Sequence, residues 1–156
     1  MSVTEGAPAP NFRMQATGGR EVSLAGLRGR PVVLYFYPKA DTPGCTKEAC
    51  AFQEALPALG TIGAEVIGVS RDRMPALEKF AAKYGLAFPL ASDETGAVSE
   101  AYETWVEKSM YGRAYMGMER STFLIDRDGL VARIWRKVKV PGHAAAVAAA
   151  VAALAG

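Results

Sequence analysis

One continuous apolar run, residues 31–38, constrains the fold of this chain more than any other feature. The run reads Pro-Val-Val-Leu-Tyr-Phe-Tyr-Pro, so β-branched and aromatic side chains fill it and a proline stands at each end. A half-exposed strand alternates polar and apolar residues, whereas an unbroken apolar run is typical of a strand that is covered on both faces. Such strands occur in parallel and mixed sheets. The run therefore predicts a strand inside a sheet of that kind.

Further strand patterns lie on both sides of this run. The first segment predicts a β-hairpin, because two short strand patterns flank the turn Thr17-Gly18-Gly19. The last strand pattern alternates apolar and polar residues, which predicts that one of its faces contacts water. The predicted strands other than the apolar run cover residues 11–16, 20–24, 65–70, 121–126 and 130–138.

Helical spacing of apolar side chains fills the gaps between the strand patterns. The predicted helices cover residues 45–56, 74–84, 95–102 and 144–154. Alternating strands and helices, closed by a hairpin, are typical of an α/β domain. The sequence thus predicts one domain over residues 1–156, with a central mixed β-sheet flanked by helices and an N-terminal β-hairpin.

Charge and composition narrow the class of function. Lys and Arg total 18 and Asp and Glu total 16, for a net charge of +2, which argues against a dedicated nucleic-acid binder. The first residues lack a basic segment followed by an apolar run, and the alanine-rich stretch 144–155 is too short to span a bilayer. We therefore expect a cytoplasmic protein without nucleic-acid or membrane partners. In that reducing compartment the chain's two cysteines are not expected to form a permanent bridge.

Cys45 is the strongest candidate for a reactive group. It follows the buried run and a Thr-Pro-Gly approach, in which Thr42 suits a helix N-cap and Pro43 suits the first helical position. The sulfur would then lie in the first turn of a helix, where free N–H groups and the helix dipole stabilise a thiolate. The carboxyl end of a buried strand is also where α/β sheets commonly place their chemistry. A buried cysteine used for packing would not explain this approach.

Cys50 follows Cys45 by five residues on the same predicted helix. Residues five apart on a regular helix are separated by roughly 8 to 9 Å between Cα atoms and face about 140° apart. A disulfide needs Cα atoms within about 7 Å. The two cysteines therefore could bridge only if the first turns of the helix unwound, and Cys50 could equally be a small core residue.

Other cysteine chemistries fit the sequence poorly. A structural zinc site needs about four ligands, and the chain offers two cysteines and one distant histidine, His143. Nucleophilic hydrolysis would need a base beside the thiol, whereas His143 follows Pro141-Gly142 and is expected to be a solvated histidine at the end of a loop. A thioredoxin-type oxidoreductase would show two residues between its cysteines, and here there are four.

The cysteine segment resembles the active site of a known family. Pro38, Thr42 and Cys45 match the peroxiredoxin signature Pro-x-x-x-Thr-x-x-Cys. The longer pattern is similar to the bacterioferritin-comigratory, or peroxiredoxin Q, branch of that family, and the resemblance covers nearly the whole chain in order. It implies a thioredoxin-like fold and reduction of hydroperoxides by a cysteine, with no metal or organic cofactor. The segments that carry it are residues 35–50, 68–72, 88–93 and 119–126.

The resemblance implies a role for each residue of the site. Cys45 would be the peroxidatic cysteine, whose thiolate attacks the O–O bond and is left as a sulfenic acid. Thr42 would place its hydroxyl between the thiolate and the peroxide. Pro38 would shape the loop and shield the sulfur from water. Arg120 would stabilise the thiolate and the charge that develops on the peroxide oxygens.

For two residues, Arg120 and Glu48, the resemblance is the only reason to consider a role in the site. Periodicity does not distinguish Arg120 from Arg113 or Arg136, and the resemblance selects Arg120. Glu48 resembles a glutamate that is common in this branch, but an exposed helical carboxylate is the simpler interpretation. We therefore leave Glu48 out of the predicted site.

Cys50 matches the resolving cysteine of those family members that have four residues between the pair. The sulfenic acid on Cys45 would condense with Cys50 to an intramolecular disulfide, which thioredoxin or a similar dithiol reductant would reduce. The expected protein is a monomer, or at most a weak dimer, that reduces hydrogen peroxide and organic hydroperoxides. Two alternatives are a thiol–disulfide oxidoreductase and a non-catalytic redox sensor that uses the same cysteine switch.

The stretch 109–118 is rich in Met, Tyr and Gly and allows two interpretations. Its methionines could fill gaps in the core, which is their commoner use. Alternatively, Met116 and Met118 could form an apolar collar beside the active site that admits alkyl hydroperoxides.

Overall fold

The computed structural model describes residues 3–155. Within that range the chain forms nine strands and four α-helices. The strands are β1 (Arg13–Ala16), β2 (Arg20–Ser23), β3 (Val32–Phe36), β4 (Glu65–Ser70), β5 (Leu90–Ser92), β6 (Trp105–Met110), β7 (Arg113–Met118), β8 (Ser121–Ile125) and β9 (Val131–Trp135). The helices are α1 (Pro43–Ile62), α2 (Met74–Tyr84), α3 (Ala97–Ala101) and α4 (His143–Ala155).

Seven of the strands form one mixed sheet, in the order β2-β1-β5-β4-β3-β8-β9. β3 pairs in parallel with β4 and antiparallel with β8. The predicted central mixed sheet is therefore confirmed. The N-terminal hairpin is confirmed as well, because β1 and β2 pair antiparallel across a short helical turn at Thr17–Gly19.

β3 is buried along its whole length, as its apolar sequence predicts. Its side chains alternate between two cores. Val33 and Tyr35 face the layer that contains α1, α2 and α4. Leu34 and Phe36 face the other side, where Phe36 packs against Tyr102 with ring centroids 5.5 Å apart. The strand is thus held on both faces, and its carboxyl end opens into the loop that leads to α1.

The helices correspond to the predicted ones with changes at their ends. α1 continues six residues past the predicted end at residue 56, although Pro57 lies inside it. A proline removes one helical hydrogen bond, but Leu59 is fully buried and extends the apolar face of α1 beyond it. α3 covers only part of the predicted 95–102, and β9 only part of the predicted 130–138. Within residues 3–155 no helix is long and apolar enough to cross a membrane.

A second, two-stranded sheet consists of β6 and β7, in a stretch where no strands were predicted. The two strands pair antiparallel from Trp105–Met118 to Met110–Arg113. The connecting residues Tyr111 and Gly112 have φ angles of 53° and 79°, which is the backbone of a tight hairpin turn with two left-handed residues. The short strand β5 was also not predicted, because its three residues are too few to show a period.

Candidate active site

Cys45 lies in the first turn of α1, just past the carboxyl end of β3. α1 begins at Pro43 with Thr42 as the N-cap residue, as predicted. The Thr46 backbone N–H donates to the Thr42 carbonyl with an N···O distance of 2.8 Å, which closes this turn. Cys45 is a free thiol and is only 2% exposed. The partial positive charge at the amino end of the helix favours a thiolate at this position.

The Thr42 hydroxyl does not cap the helix, which corrects the expectation for its side chain. It donates instead to the Lys39 carbonyl, with an O···O distance of 2.8 Å, and thereby closes a turn in the loop before α1. A hydroxyl has one proton and two lone pairs, so the Thr42 oxygen can still accept a hydrogen bond from a ligand. Pro38 is exposed and opens this loop two residues after β3 ends.

Arg120 reaches Cys45 from the neighbouring strand. It directly precedes β8, whose first residue, Ser121, pairs with Phe36 at the end of β3. The Arg120 Nη2 atom lies 3.4 Å from the Cys45 Sγ atom. A Cβ atom at Gly44 would lie 3.1 Å from that same Nη2. The glycine before Cys45 therefore leaves the space through which the guanidinium approaches the sulfur.

The structure shows which of the three candidate arginines contacts Cys45, a choice that the periodicity of the sequence could not make. Arg113 is exposed on β7. Arg136 donates to the carbonyls of Glu103 and Tyr102, at 3.1 and 3.3 Å. Arg120 is thus the arginine of the three that contacts the sulfur of Cys45.

Glu48 belongs to this cluster, and the expectation of an exposed helical carboxylate was wrong. Its side chain is 1% exposed, and its Oε1 accepts a hydrogen bond of 2.7 Å from Arg120 Nη1. Glu48 follows Cys45 by three residues, and helical residues three apart share a face. The sequence therefore carried a signal for this position, since the residue that shares a face with a buried cysteine is itself expected to be buried.

Burial and charge oppose each other at the ion pair of Glu48 and Arg120. Burial raises the pKa of Glu48 and the attraction of Arg120 lowers it. Burial is the larger effect, so the pKa is raised to about 7. Burial lowers the pKa of Arg120, but the attraction of Glu48 and Cys45 outweighs it and the pKa is raised. The guanidinium thus stays charged while it contacts both the carboxylate and the sulfur.

The buried side chains that pack around Cys45 form a surrounding of low polarity. Tyr35 and Tyr37 lie in the same buried cluster as Cys45, and burial raises the pKa of both phenols, so they are neutral at physiological pH. The Tyr35 hydroxyl and Glu48 Oε2 have no hydrogen-bond partner within residues 3–155. A surrounding of this kind screens charge weakly, which strengthens the attraction between Arg120 and a thiolate.

Cys50 lies outside the cluster of Cys45, Glu48 and Arg120. It is a partly buried free thiol on α1, which is helical through both cysteines. In regular helical geometry their Cα atoms are roughly 8 to 9 Å apart, beyond the reach of a disulfide at about 7 Å. The structure is therefore that of the dithiol form, in which the two sulfurs are apart.

His143 is buried, and the expectation of a solvated histidine was wrong. It is 6% exposed, and its Nε2 is 2.7 Å from the Thr122 hydroxyl oxygen. The rings of Phe52 and Trp135 meet it edge to face, at 5.9 and 5.7 Å between centroids. Burial, followed by the charge of Arg120, lowers the pKa of His143 to about 4. It is therefore a neutral core residue.

The two methionines of the proposed collar differ in their surroundings. Met118 is 2% exposed, and its sulfur accepts a hydrogen bond of 3.2 Å from the Thr104 hydroxyl. Met118 thus fills the core, which agrees with the first of the two interpretations of this stretch and not with a place in an apolar collar. Met116 is 52% exposed on the hairpin of β6 and β7, so a role for it in admitting alkyl hydroperoxides stays a prediction.

Comparison with known proteins identifies relatives of the whole chain. Residues 6–134 match the model of the AhpC/TSA family. Peroxiredoxin Bcp of Xanthomonas campestris is 47% identical over 145 residues, which are 92% of this chain and 91% of the relative. Peroxiredoxin Bcp of Bacillus subtilis is 43% identical over 145 residues, which are 93% of this chain and 92% of the relative.

Solved structures resemble this one over nearly their full length. The bacterioferritin comigratory protein of Xanthomonas campestris, studied for its alkyl peroxide reduction activity, superimposes with a TM-score of 0.89. It is 46% identical, with 93% of this chain and 92% of that chain covered. A cysteine-to-serine mutant of PrxQ from Xylella fastidiosa superimposes with a TM-score of 0.94 at 38% identity, with 100% and 99% covered.

Proposed function

This chain belongs to the AhpC/TSA family, and from that premise we propose that Cys45 is the residue with which it reduces hydroperoxides. The protein is a peroxiredoxin of the Bcp/PrxQ branch, with a thioredoxin-like fold, and it is a thiol-dependent peroxidase. The observation that carries the assignment of Cys45 is the contact of 3.4 Å between its sulfur and Arg120 Nη2. A buried thiol beside a fixed cation, at the amino end of a helix, is an activated nucleophile.

In the first step the Cys45 thiolate attacks one oxygen of the hydroperoxide. An S–O bond forms, the O–O bond breaks, and the departing oxygen takes up a proton to leave as water or an alcohol. Negative charge moves from the sulfur to that oxygen as the reaction proceeds. The Arg120 guanidinium has several N–H donors, so it can stabilise the charge at both positions. Glu48 holds the guanidinium in place through its hydrogen bond of 2.7 Å.

Thr42 and Pro38 complete the site in this proposal. The Thr42 hydroxyl donates its hydrogen bond to the Lys39 carbonyl. Its oxygen is therefore suited to accept a hydrogen bond from the O–H of the incoming hydroperoxide. That hydrogen bond would orient the peroxide with its far oxygen as the leaving group. Pro38 borders the loop that carries Thr42 and limits the access of water to the sulfur.

In the second step Cys50 resolves the sulfenic acid. The Cys50 thiol attacks the Cys45 sulfur, an S–S bond forms, the S–O bond breaks, and water leaves. Since α1 keeps the two sulfurs apart, its first turns must unwind before this step. A dithiol reductant such as thioredoxin then returns both thiols, and the chain works as a monomeric single domain.

The variant Cys50→Ser tests this division of roles. We expect its first turnover with hydrogen peroxide to be as fast as in the parent protein, because the site around Cys45 is intact. Steady-state turnover with thioredoxin should be lost, because no disulfide forms. Undiminished steady-state turnover would overturn the role of Cys50.

The same assay separates the alternatives for Cys45. A thiol–disulfide oxidoreductase would react slowly with peroxide and readily with a disulfide substrate. A redox sensor would form the disulfide without catalytic recycling. Rapid peroxide reduction that continues with a dithiol reductant is the result that the proposed function predicts.

A further inference from the structure

The second step of the proposed function requires the amino end of α1 to move, so the contacts that hold the preceding loop bear on its rate. We call residues 38–42 the cysteine loop, since it connects β3 to the helix that carries Cys45. The inference that follows rests on the proposed role of Cys50. It concerns contacts that lie away from the sulfur and play no part in the first step.

Asp41 ties the cysteine loop to the carboxyl end of α2. Its Oδ2 atom accepts a hydrogen bond of 2.9 Å from Lys83 Nζ, and its Oδ1 atom accepts one of 2.8 Å from the Tyr84 hydroxyl. Both oxygens of one carboxylate are thus held by consecutive residues of a single helix turn. The hydrogen bonds to Lys83 and then Tyr84 lower the pKa of Asp41, so the carboxylate is charged at neutral pH.

A second contact of the loop is of a different kind. The Ala40 backbone N–H donates to Asp72 Oδ2 at 2.8 Å. The same oxygen accepts a hydrogen bond of 2.7 Å from the hydroxyl of Ser70, the last residue of β4. This contact is therefore part of a partly buried network at the end of the sheet. The Asp41 contact lies at the surface, with the side chains of Lys83 and Asp41 52% and 39% exposed.

Two properties suit the Asp41 contact to opening in each catalytic cycle. Exposed ion pairs contribute little to stability and are weakened further by salt. In addition, Asp41 has a φ angle of 58°, a left-handed conformation that aspartate adopts more readily than most residues but still at a small cost. Once the carboxylate is released, the loop can relax from that conformation. Opening thus breaks only weak contacts and allows the backbone of Asp41 to leave the left-handed region.

We propose that Asp41, Lys83 and Tyr84 form a latch that keeps the cysteine loop closed and must open before Cys45 condenses with Cys50. The partly buried contact of Ala40 with Asp72 is enough to hold the loop during the first step. Asp41 is a positioning residue in this account, because it acts through the loop and does not contact the reacting atoms. Opening of the latch makes and breaks no covalent bond. It sets the fraction of the sulfenic acid form in which α1 can unwind, and hence the rate of disulfide formation.

The test compares the double variant Lys83→Met, Tyr84→Phe with the parent protein. Reduced protein is mixed rapidly with hydrogen peroxide, and quenched samples are followed by intact mass, which resolves sulfenic acid from disulfide. The first step should keep its rate. Disulfide formation should become about three- to thirtyfold faster, the range expected for the loss of one exposed ion pair and one hydrogen bond. Added sodium chloride should accelerate it in the parent and not in the double variant.

Lys79→Met is the matched control. Lys79 is exposed on α2 one turn before Lys83, and its charge is only the weakest influence on the pKa of Asp41. Its removal should leave disulfide formation unchanged. The latch is wrong if the double variant forms the disulfide at the parent rate, or if Lys79→Met accelerates it equally. A parent protein that stops at the sulfenic acid would overturn the role of Cys50, and the latch with it.

Discussion

Glu48→Gln removes a buried carboxyl while keeping its shape, and we expect it to change how stability depends on pH. Burial raises the pKa of Glu48 from its ordinary value of 4.5 to about 7, against the attraction of Arg120. Between these pH values the folded state keeps a proton that the unfolded state releases. This contribution to stability is fully present below pH 4.5 and is lost as the pH rises through 7. The loss amounts to about 3 kcal/mol.

Glutamine does not titrate, so the variant should not show this loss. Below pH 4.5 both side chains are neutral, and the free energies of unfolding of the variant and the parent should be close. Toward pH 8 the variant should become more stable than the parent by about 3 kcal/mol. The reason is that burial of the Glu48 carboxylate costs more free energy than the attraction of the charged Arg120 offsets.

The assay is urea unfolding of both reduced proteins at a series of pH values, with the free energy of unfolding extrapolated to water. The difference between the two proteins is the useful quantity, because other titrating groups such as His143 are common to both and cancel. Glu54→Gln removes a carboxyl from the exposed side of α1 and is the matched control. A difference for Glu48→Gln that stays constant across the pH range would refute the reasoning, since the pKa of Glu48 would then be the same in the folded and the unfolded protein.

Three further predictions concern the same region. In Arg120→Lys the rate of the first step with peroxide should fall by about a hundred- to a thousandfold in a stopped-flow assay, because a single ammonium group cannot contact both Cys45 and Glu48; an unchanged rate would contradict the role of the guanidinium. In Gly44→Ala the new Cβ atom, 3.1 Å from Arg120 Nη2, should displace the guanidinium and lower that rate by about tenfold; a parent-like rate would show that the arginine adjusts without loss. The pKa of His143 is lowered from 6.5 to about 4, so its contribution to stability is fully present above pH 6.5 and is lost as the pH falls through 4. His143→Gln should remove about 2–3 kcal/mol of acid destabilisation in urea unfolding, and an acid profile identical to the parent's would contradict the burial of a neutral histidine.

The parts of the fold that the sequence predicts are those set by local patterns. The run that becomes β3 is apolar at every position, and only a strand covered on both faces makes use of such a run. The amino end of α1 is likewise local, since Thr42 and Pro43 are favoured at the positions they occupy. The end of α1 was not predicted, because Pro57 breaks the local pattern while the packing of Leu59 against the sheet outweighs it.

The parts of the site that the sequence does not predict depend on distant residues. His143 is buried by Phe52, Thr122 and Trp135, which come from α1, β8 and β9. The sequence around position 143 contains no pattern that predicts these contacts. Arg120 similarly reaches the sulfur because β8 pairs with β3, and the resemblance alone could select it over the other arginines.

Whether Cys45 reduces hydroperoxides is decided by the intact mass of the reduced protein, measured within milliseconds of mixing with a small excess of hydrogen peroxide. We expect a rapid loss of two hydrogen atoms, which is the mark of a Cys45–Cys50 disulfide. In Cys50→Ser we expect the rapid gain of one oxygen atom at Cys45, and in Cys45→Ser no rapid change. A parent protein that reacts slowly, or a Cys45→Ser variant that reacts as fast as the parent, would contradict the claim that Cys45 is the residue that reduces hydroperoxides.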